Sequence, residues 1–348
     1  MYFEFDESRR FHMPYIDETQ RQSAWAPQPY NSLYLNWKRG AYCYMYAMTF
    51  IEPARHFQAN VQLLNSYYKW PNTRTEYNIF FKEVFRMPNF WSELAKKMVF
   101  GTVSAMGDVG PKLAMWQYIF GGTNSIQEYS DQNSFKYFLC AMMAVTPVAG
   151  TGIPFENARR AYYADKTWPI ELRRNYTSPT NALLRIPFEE GPYYLMRGGF
   201  PLYASNWFFW VGYLTFYNRM KNWSFFMWLY NDFHYDFIKL LNMSISFSLA
   251  VILSYPMYYV REMVDLWPKE RGGHCTWDNE YRKCARWMVD NVDQLGYNYY
   301  VNLTQWMRRY GALYFVTLWV ADSMGMMSNS NEALWETAAT NYGDVEGT

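Results

Sequence analysis

The chain has 348 residues, of which 50% are hydrophobic, 21% aromatic and 18% charged, and its net charge is +1. The balanced charge and the lack of a basic block exclude an electrostatic nucleic-acid surface and leave no field that would steer anions. The four cysteines are scattered without metal-ligand spacing, which argues against a zinc site and against a disulfide framework.

The aromatic share is far above that of an ordinary globular protein. Residues 204–217 and 242–260 contain no charge, and with their flanks they approach the roughly 20 residues that a tilted spanning helix needs. The mean hydropathy is only −0.35, but hydropathy scales score Tyr and Trp poorly. We interpret the chain as a membrane protein with weak hydropathy signals. The alternative is a soluble all-helical repeat, although such repeats are usually shorter.

Three segments share one pattern, in which a proline follows an apolar run and precedes a more polar helical continuation. The prolines are Pro53, Pro154 and Pro256, about one hundred residues apart. Proline inside a helix removes one backbone hydrogen bond and bends the axis. We therefore expect each segment of about one hundred residues to form a kinked helix, a polar loop and a second helix. The second helices are expected to start at Gly101, with Thr102 as N-cap, and at Gly198, and the third is expected to end at Asp322.

The stretch "GIPFENAR" resembles the mitochondrial carrier family, whose odd-numbered helices carry Pro-x-acid-x-x-base. "FEEGPYYLMRGG" and "LSYPMYYVREM" are similar to further elements of that family. The resemblance implies an all-α membrane protein, with six transmembrane helices in a pseudo-threefold barrel, in the mitochondrial inner membrane. It divides the chain into an N-terminal extension (1–38), three repeats (39–125, 126–225, 226–327) and a C-terminal tail (328–348).

In that family the acid of one repeat pairs with the base of the next and closes the matrix side. The acid positions here hold Arg55, Glu156 and Tyr258, and the base positions hold Gln58, Arg159 and Arg261. Cyclic pairing predicts that Arg55 faces Arg159, a like-charged contact, and that Tyr258 faces Gln58. The remaining pair, Glu156 with Arg261, is expected to hold the barrel shut, with Glu156 bridging more than one arginine.

The second gate, on the opposite side, has lost its charges by the same comparison. Its positions hold Phe120, Thr123, Tyr217, Asn218, Lys221, Asp322 and Gly325. Pairing them in order joins Phe120 to Lys221, Asn218 to Gly325, and Asp322 to Thr123. No ion pair is expected at this end, and alternating access requires both gates to form and break in turn.

The cavity positions also differ from those of nucleotide carriers. They are Asp108, where an arginine is usual, Ser205 and Asn206 on the fourth helix, and Arg309 and Tyr310 on the sixth. The aromatic run from Trp207 to Trp210 is expected to fill the nearby space. A phosphate-bearing substrate is therefore not expected.

Two functions remain open. The first is a non-transporting structural accessory subunit of a respiratory-chain complex, with the aromatic N-terminal extension on a partner or simply disordered. The second is an active divergent carrier of a small non-nucleotide metabolite.

An enzyme is not expected, because no nucleophile–base set, phosphate loop or metal spacing occurs, and His274, Cys275 and Cys284 are interpreted as loop residues. No cofactor is expected. Bound cardiolipin is expected at even-helix N-termini, at Gly101/Thr102 and at Arg197/Gly198.

Overall fold

The computed structural model describes residues 33–67, 74–87, 89–123, 134–167, 171, 173–221, 235–266, 286, 290, 303–304, 306–307, 311–324 and 326. Within these residues the fold is all-helical, without a strand. The all-α prediction is therefore confirmed.

The helices follow one another along the chain, and some of the segments between them lie outside the described residues. They are α1 (Leu33–Tyr67), α2 (Arg74–Arg86), α3 (Phe90–Ser104), a π-helical turn (Ala105–Val109), α4 (Gly110–Thr123), α5 (Ser134–Val145), α6 (Ile153–Thr167), α7 (Pro179–Glu189), α8 (Pro192–Leu195), α9 (Gly199–Lys221), α10 (Tyr235–Leu266) and α11 (Ala312–Ser323). The first helix begins at Leu33, inside the segment that was assigned to the N-terminal extension.

The proline repeat has two structural outcomes. Pro53 and Pro256 lie inside α1 and α10, which continue past them. Around Pro154 the helix is broken instead, and residues 146–152 form turns between α5 and α6. Tight backbone hydrogen bonds close these turns, including Ala149 N to Val145 O at 2.8 Å. Pro147, which also lacks an N–H group, adds to the break in this copy.

The π-helical turn interrupts the second long segment just before Pro111. Since Pro111 has no N–H group, the helix cannot make its normal bond there, and a single π turn is a common way to absorb such a gap. The turn brings Asp108 to the inner face, where it is buried.

The long helices pack as a closed ring. Each neighbour in chain order is in contact: α1 with α4, α4 with α5, α5 with α9, α9 with α10, and α10 with α11; α11 then packs against α1. The α1–α4 contact is close because Gly40 faces Gly110, and a Cβ on Gly40 would lie 3.0 Å from the Gly110 carbonyl oxygen.

The outer faces of several helices carry exposed apolar side chains at helical spacing. On α1 these are Tyr42, Tyr46 and Phe50, each more than half exposed. Similar faces occur on α5 (Phe135, Phe138, Leu139, Met143) and on α10 (Phe237, Leu240, Leu241, Ile252, Leu253). Contiguous apolar surface of this kind marks contact with a membrane or a partner. By length and composition, one described helix, Phe237–Arg261, could cross a membrane.

Candidate functional site

A cavity of about 1420 Å³ lies inside the ring of helices. Charged side chains on its wall come from several helices: the cations Arg55, Lys97, Arg159, Arg160 and Arg197, and the acids Glu52, Asp108 and Glu156. Because the cations outnumber the acids among these described lining residues, the cavity favours negative charge.

Glu156 is the centre of the largest charge cluster on this wall. Its carboxylate pairs with Arg159, with Arg160 at 3.0 Å and with Arg261 at 3.8 Å. Arg261 is fully buried and comes from α10, so the carboxylate joins α6 to α10. The Glu156–Arg261 contact and the bridging of several arginines are both present, as the motif comparison predicted.

Asn157, which the motif comparison did not single out, holds this cluster to the start of α9. Its side-chain nitrogen donates to the backbone oxygens of Leu195 and Arg197, at 2.6 and 2.8 Å. Its side-chain oxygen accepts a hydrogen bond from Arg261. One amide therefore joins α6, α10 and the turn before α9. No sequence signal identifies it, because its partners are two backbone groups and a residue about one hundred positions away.

The other two predicted contacts of this gate are replaced. Arg55 pairs with Glu52 of its own helix at 3.0 Å, so its charge is neutralised within α1. Tyr258 accepts a hydrogen bond from Arg160 at 3.0 Å, while Gln58 is exposed on the cavity wall. Arg55 and Tyr258 each have another partner nearby. Pairing equivalent positions across repeats does not take such neighbours into account.

The Glu156 cluster does not close the cavity. The lining residues of α6 run from Phe155 past the cluster to Ala164, and Tyr194 also contributes. The cluster therefore lies in the wall, and the expectation that the Glu156–Arg261 contact holds this end shut is wrong.

Asp108 does not make the cavity acidic. Its carboxylate pairs with Lys112, one turn further along and 1% exposed. The Lys112 ammonium also lies 5.9 Å from the ring centroid of Trp210, a cation–π distance. Since the charge of Asp108 is cancelled locally, it gives no reason to exclude an anionic or phosphate-bearing solute. Ser205 and Asn206 line the cavity as expected, and Asn206 donates to the Ala149 oxygen at 3.3 Å.

The opposite half of the ring is sealed by one continuous core. It contains residues before the prolines of α1 and α10, residues of α5 and the following turn, and residues in the later parts of α4, α9 and α11. Its largest members are Trp116, Trp210, Tyr213 and Tyr217, each at most 1% exposed. The aromatic run does not fill the cavity as expected: Phe209 lines it, and Trp210 belongs to this core.

An ion pair is present at this end, contrary to the sequence expectation. Asp322, at the end of α11, lies 2.7 Å from Lys239 near the start of α10, and both side chains are almost fully buried. The gate pattern pairs Asp322 with Thr123, but the observed partner, Lys239, is not one of the gate positions. Tyr217 stacks on Tyr213 with ring centroids 5.8 Å apart, and Asn218 donates to the Leu214 oxygen of its own helix.

The four residues assigned to lipid differ in their placement. Gly101 and Thr102 lie inside α3, which begins at Phe90, so the predicted N-cap is wrong. Thr102 donates instead to the Met98 oxygen, and Met48 packs where a side chain at Gly101 would lie. Gly198 has φ +62° and directly precedes α9, as expected for a helix start. Arg197 lines the cavity, and its buried Nε has no hydrogen-bond partner among the described residues.

A second charge cluster, around Glu93, joins α3 to α6 beyond the prolines. Glu93 pairs with Lys166 at 2.9 Å and with Lys96 at 3.1 Å, and accepts a hydrogen bond from Tyr162 at 2.9 Å. Burial would raise the pKa of Glu93, but these three donors outweigh it and lower the pKa to about 2. The carboxylate is therefore a permanent anion at physiological pH.

Several predicted residues lie outside the described part of the chain. These are Arg309, Tyr310 and Gly325, the side chains of Phe120, Thr123 and Lys221, and the loop residues His274, Cys275 and Cys284.

The sequence matches no protein-family model, and no match is found among curated proteins.

Proposed function

We propose that this chain is a carrier-like protein of the mitochondrial inner membrane that does not transport and serves as a structural accessory subunit of a respiratory-chain complex. The motif resemblance gives the family and the compartment. The closed ring of helices, the three prolines and the outward apolar faces support this architecture.

The aromatic core of the opposite half is the observation that carries the proposal. Opening that half would expose Trp116, Trp210, Tyr213 and Tyr217. Burying one large apolar side chain contributes about 1.5–3 kcal/mol, so exposing four costs on the order of 6–12 kcal/mol. A solute must bind one state about 5.5 kcal/mol better than the other to move a two-state equilibrium from 1:99 to 99:1. The cost of exposing this core is therefore larger than the difference in binding free energy that a solute would have to provide.

The charge pairs also favour a single state. The Glu156–Arg261 contact joins the second repeat to the third, whereas the Lys239–Asp322 pair lies within the third repeat. Among the described residues, no ion pair of the opposite end joins two repeats. Alternating access needs such a competing contact, because each state must be stabilised in turn.

A test combines two measurements on the native protein. Mitochondria are solubilised gently and separated on a native gel, and the purified full chain is then reconstituted into liposomes loaded with phosphate, dicarboxylates, amino acids or ADP. We expect co-migration with a large respiratory complex and no saturable counter-exchange. Saturable exchange by the isolated chain, or migration only at the size of the free chain, would contradict the proposal.

The second candidate is a divergent carrier, and the cavity is the observation that favours it. A space of about 1420 Å³ is large enough for a metabolite. The excess of cations on the cavity wall suits a small anion, as does the Nε of Arg197, which has no hydrogen-bond partner in the part of the chain that the structure describes. In the uptake test this candidate predicts exchange of an anionic solute and none of a cationic one.

Bound cardiolipin is part of the proposal at the second repeat. The turn at Gly198 leads directly into α9, but Gly199 N donates to the Met196 oxygen, Leu202 N donates to the Gly198 oxygen, and Pro201 has no N–H group, so a lipid phosphate at this site would depend on the side chain of Arg197. The N-terminus expected at Gly101 is absent because α3 starts earlier, so one of the two sites expected from the sequence remains.

A further inference from the structure

We propose that Cys43, Met324 and Met326 form a binding site for one Cu(I) ion. The three sulfur atoms converge from opposite ends of the chain, since Cys43 lies in α1 and both methionines directly follow α11. The Cys43 Sγ lies 3.4 Å from the Met324 Sδ and 3.8 Å from the Met326 Sδ. This site goes beyond the proposed function and does not depend on it.

The distances suit a three-coordinate metal. With metal–sulfur bonds of about 2.3 Å, the sulfurs of a trigonal site lie about 4 Å apart. The observed separations are slightly shorter, so small side-chain rotations would admit the ion. Backbone hydrogen bonds fix the turn that carries the two thioethers: Met324 N donates to Val320 O at 2.9 Å, and Met326 N donates to Ala321 O at 2.8 Å.

The ligand chemistry selects Cu(I) over other metals. Thiolate and thioether sulfurs are soft ligands that prefer Cu(I), whereas thioether is not a usual zinc ligand. On binding, the Cys43 thiol gives up its proton to solvent and a copper–thiolate bond forms. One monovalent cation and one thiolate make a neutral unit, which avoids the cost of leaving a net charge in this buried place.

The burial pattern provides both a protected site and an entry path. Cys43 is fully buried and Met326 is 1% exposed, while Met324 is 46% exposed. The ion can therefore reach the cluster past Met324. Among the described residues, no group of three His, Cys, Asp or Glu side chains could hold a metal; here two of the three ligands are methionines.

The test uses the full chain with Cys275→Ser and Cys284→Ser, so that the cysteines left are Cys43 and Cys140. The purified protein is titrated with Cu(I) under reducing, oxygen-free conditions against a chromogenic Cu(I) chelator. We expect one equivalent to be withheld from the chelator. Cys43→Ser should lower the affinity at least 100-fold and Met324→Leu about tenfold, a loss comparable to those found on disturbing metal sites.

Two buried residues provide matched controls, Cys140→Ser and Met243→Leu. Both should leave Cu(I) binding unchanged. Wild-type binding by Cys43→Ser, or an equal loss in Cys140→Ser, would overturn the proposal. Because Met324 is half exposed, its variant keeps the test independent of folding. X-ray absorption of the loaded protein should show a sulfur-only shell, and a shell of nitrogen or oxygen would also refute the site.

Discussion

Arg261 of α10 is fully buried and lies 3.8 Å from the carboxylate of Glu156 on α6, which also holds Arg160 at 3.0 Å. Asn157 accepts a further hydrogen bond from the same Arg261. A buried guanidinium is tolerated only with such partners, because an unpaired charge is expensive to remove from water. This group of residues therefore couples α6 to α10.

Glu156→Gln should destabilise the protein strongly. The change leaves three arginines without their shared carboxylate, and breaking a buried pair from one side costs about 3–5 kcal/mol. The measurement is the melting temperature in detergent. Glu83→Gln is the matched control, since Glu83 forms an exposed pair with Arg86 and its loss should leave the melting temperature unchanged. Equal effects of the two variants would contradict this role of Glu156.

The Lys239–Asp322 pair should show strong coupling in a double-mutant cycle. Lys239→Met and Asp322→Leu each leave one charge buried, which is expected to cost about 3 kcal/mol or more. The double variant removes both charges and should be more stable than either single variant. Thermal unfolding of the four proteins gives the coupling energy. Simple addition of the two single effects would mean that the pair does not act as a unit.

Gly152→Ala should destabilise the protein, whereas Gly150→Ala should not. A Cβ on Gly152 would clash with a carboxylate oxygen of Asp108, and Asp108 is fixed by its pair with Lys112. Overpacking of this kind typically costs about 1–3 kcal/mol. A Cβ on Gly150 would lie 3.4 Å from the Tyr203 ring, an ordinary contact. The two melting temperatures are compared directly, and the reverse order would contradict the position of Asp108.

Glu93 should make a pH-dependent contribution to stability. Its pKa is lowered from 4.5 to about 2, so folding favours the ionised form. The stabilisation is fully present above about pH 4.5 and is lost as the pH falls through about 2. The difference in melting temperature between the wild type and Glu93→Gln should therefore shrink over that range. Lys166→Met should reduce the same difference at neutral pH, and a difference that does not change with pH would refute the assignment.

Local patterns predicted the helical class and the buried acid–base contact. Proline spacing predicted bends in three helices, and α1 and α10 do contain their prolines. The pairing of Glu156 with Arg261 followed from the motif. These features depend on the backbone chemistry of proline and on the distance between equivalent positions, both of which can be seen in one sequence.

The wrongly predicted charge pairs have one physical cause. In each case the charged side chain pairs with a residue that is not one of the gate positions. Arg55 pairs with Glu52 and Asp108 with Lys112, each within one turn of its own helix. Asp322 found Lys239 on the neighbouring helix. A charge pairs with whatever opposite charge the packing brings near, and gate positions alone do not fix that choice.

The start of α3 was missed for a related reason. Glycine within a helix costs about 1 kcal/mol relative to alanine, which favours a helix end near Gly101. The close packing of Met48 on Gly101 supplies a tertiary reason for a glycine inside the helix. Sequence alone does not show that packing.

The cavity extends towards the motif end and the aromatic core seals the other end, and side-specific labelling of Ser104→Cys tests this arrangement. Ser104 lines the cavity. A membrane-impermeant thiol reagent is applied to inner-membrane vesicles of either orientation, and labelling above that of the unchanged chain is counted. We expect labelling from the matrix side alone, with or without added solutes. Labelling from both sides, or a change of side on adding a solute, would show alternating access and contradict it.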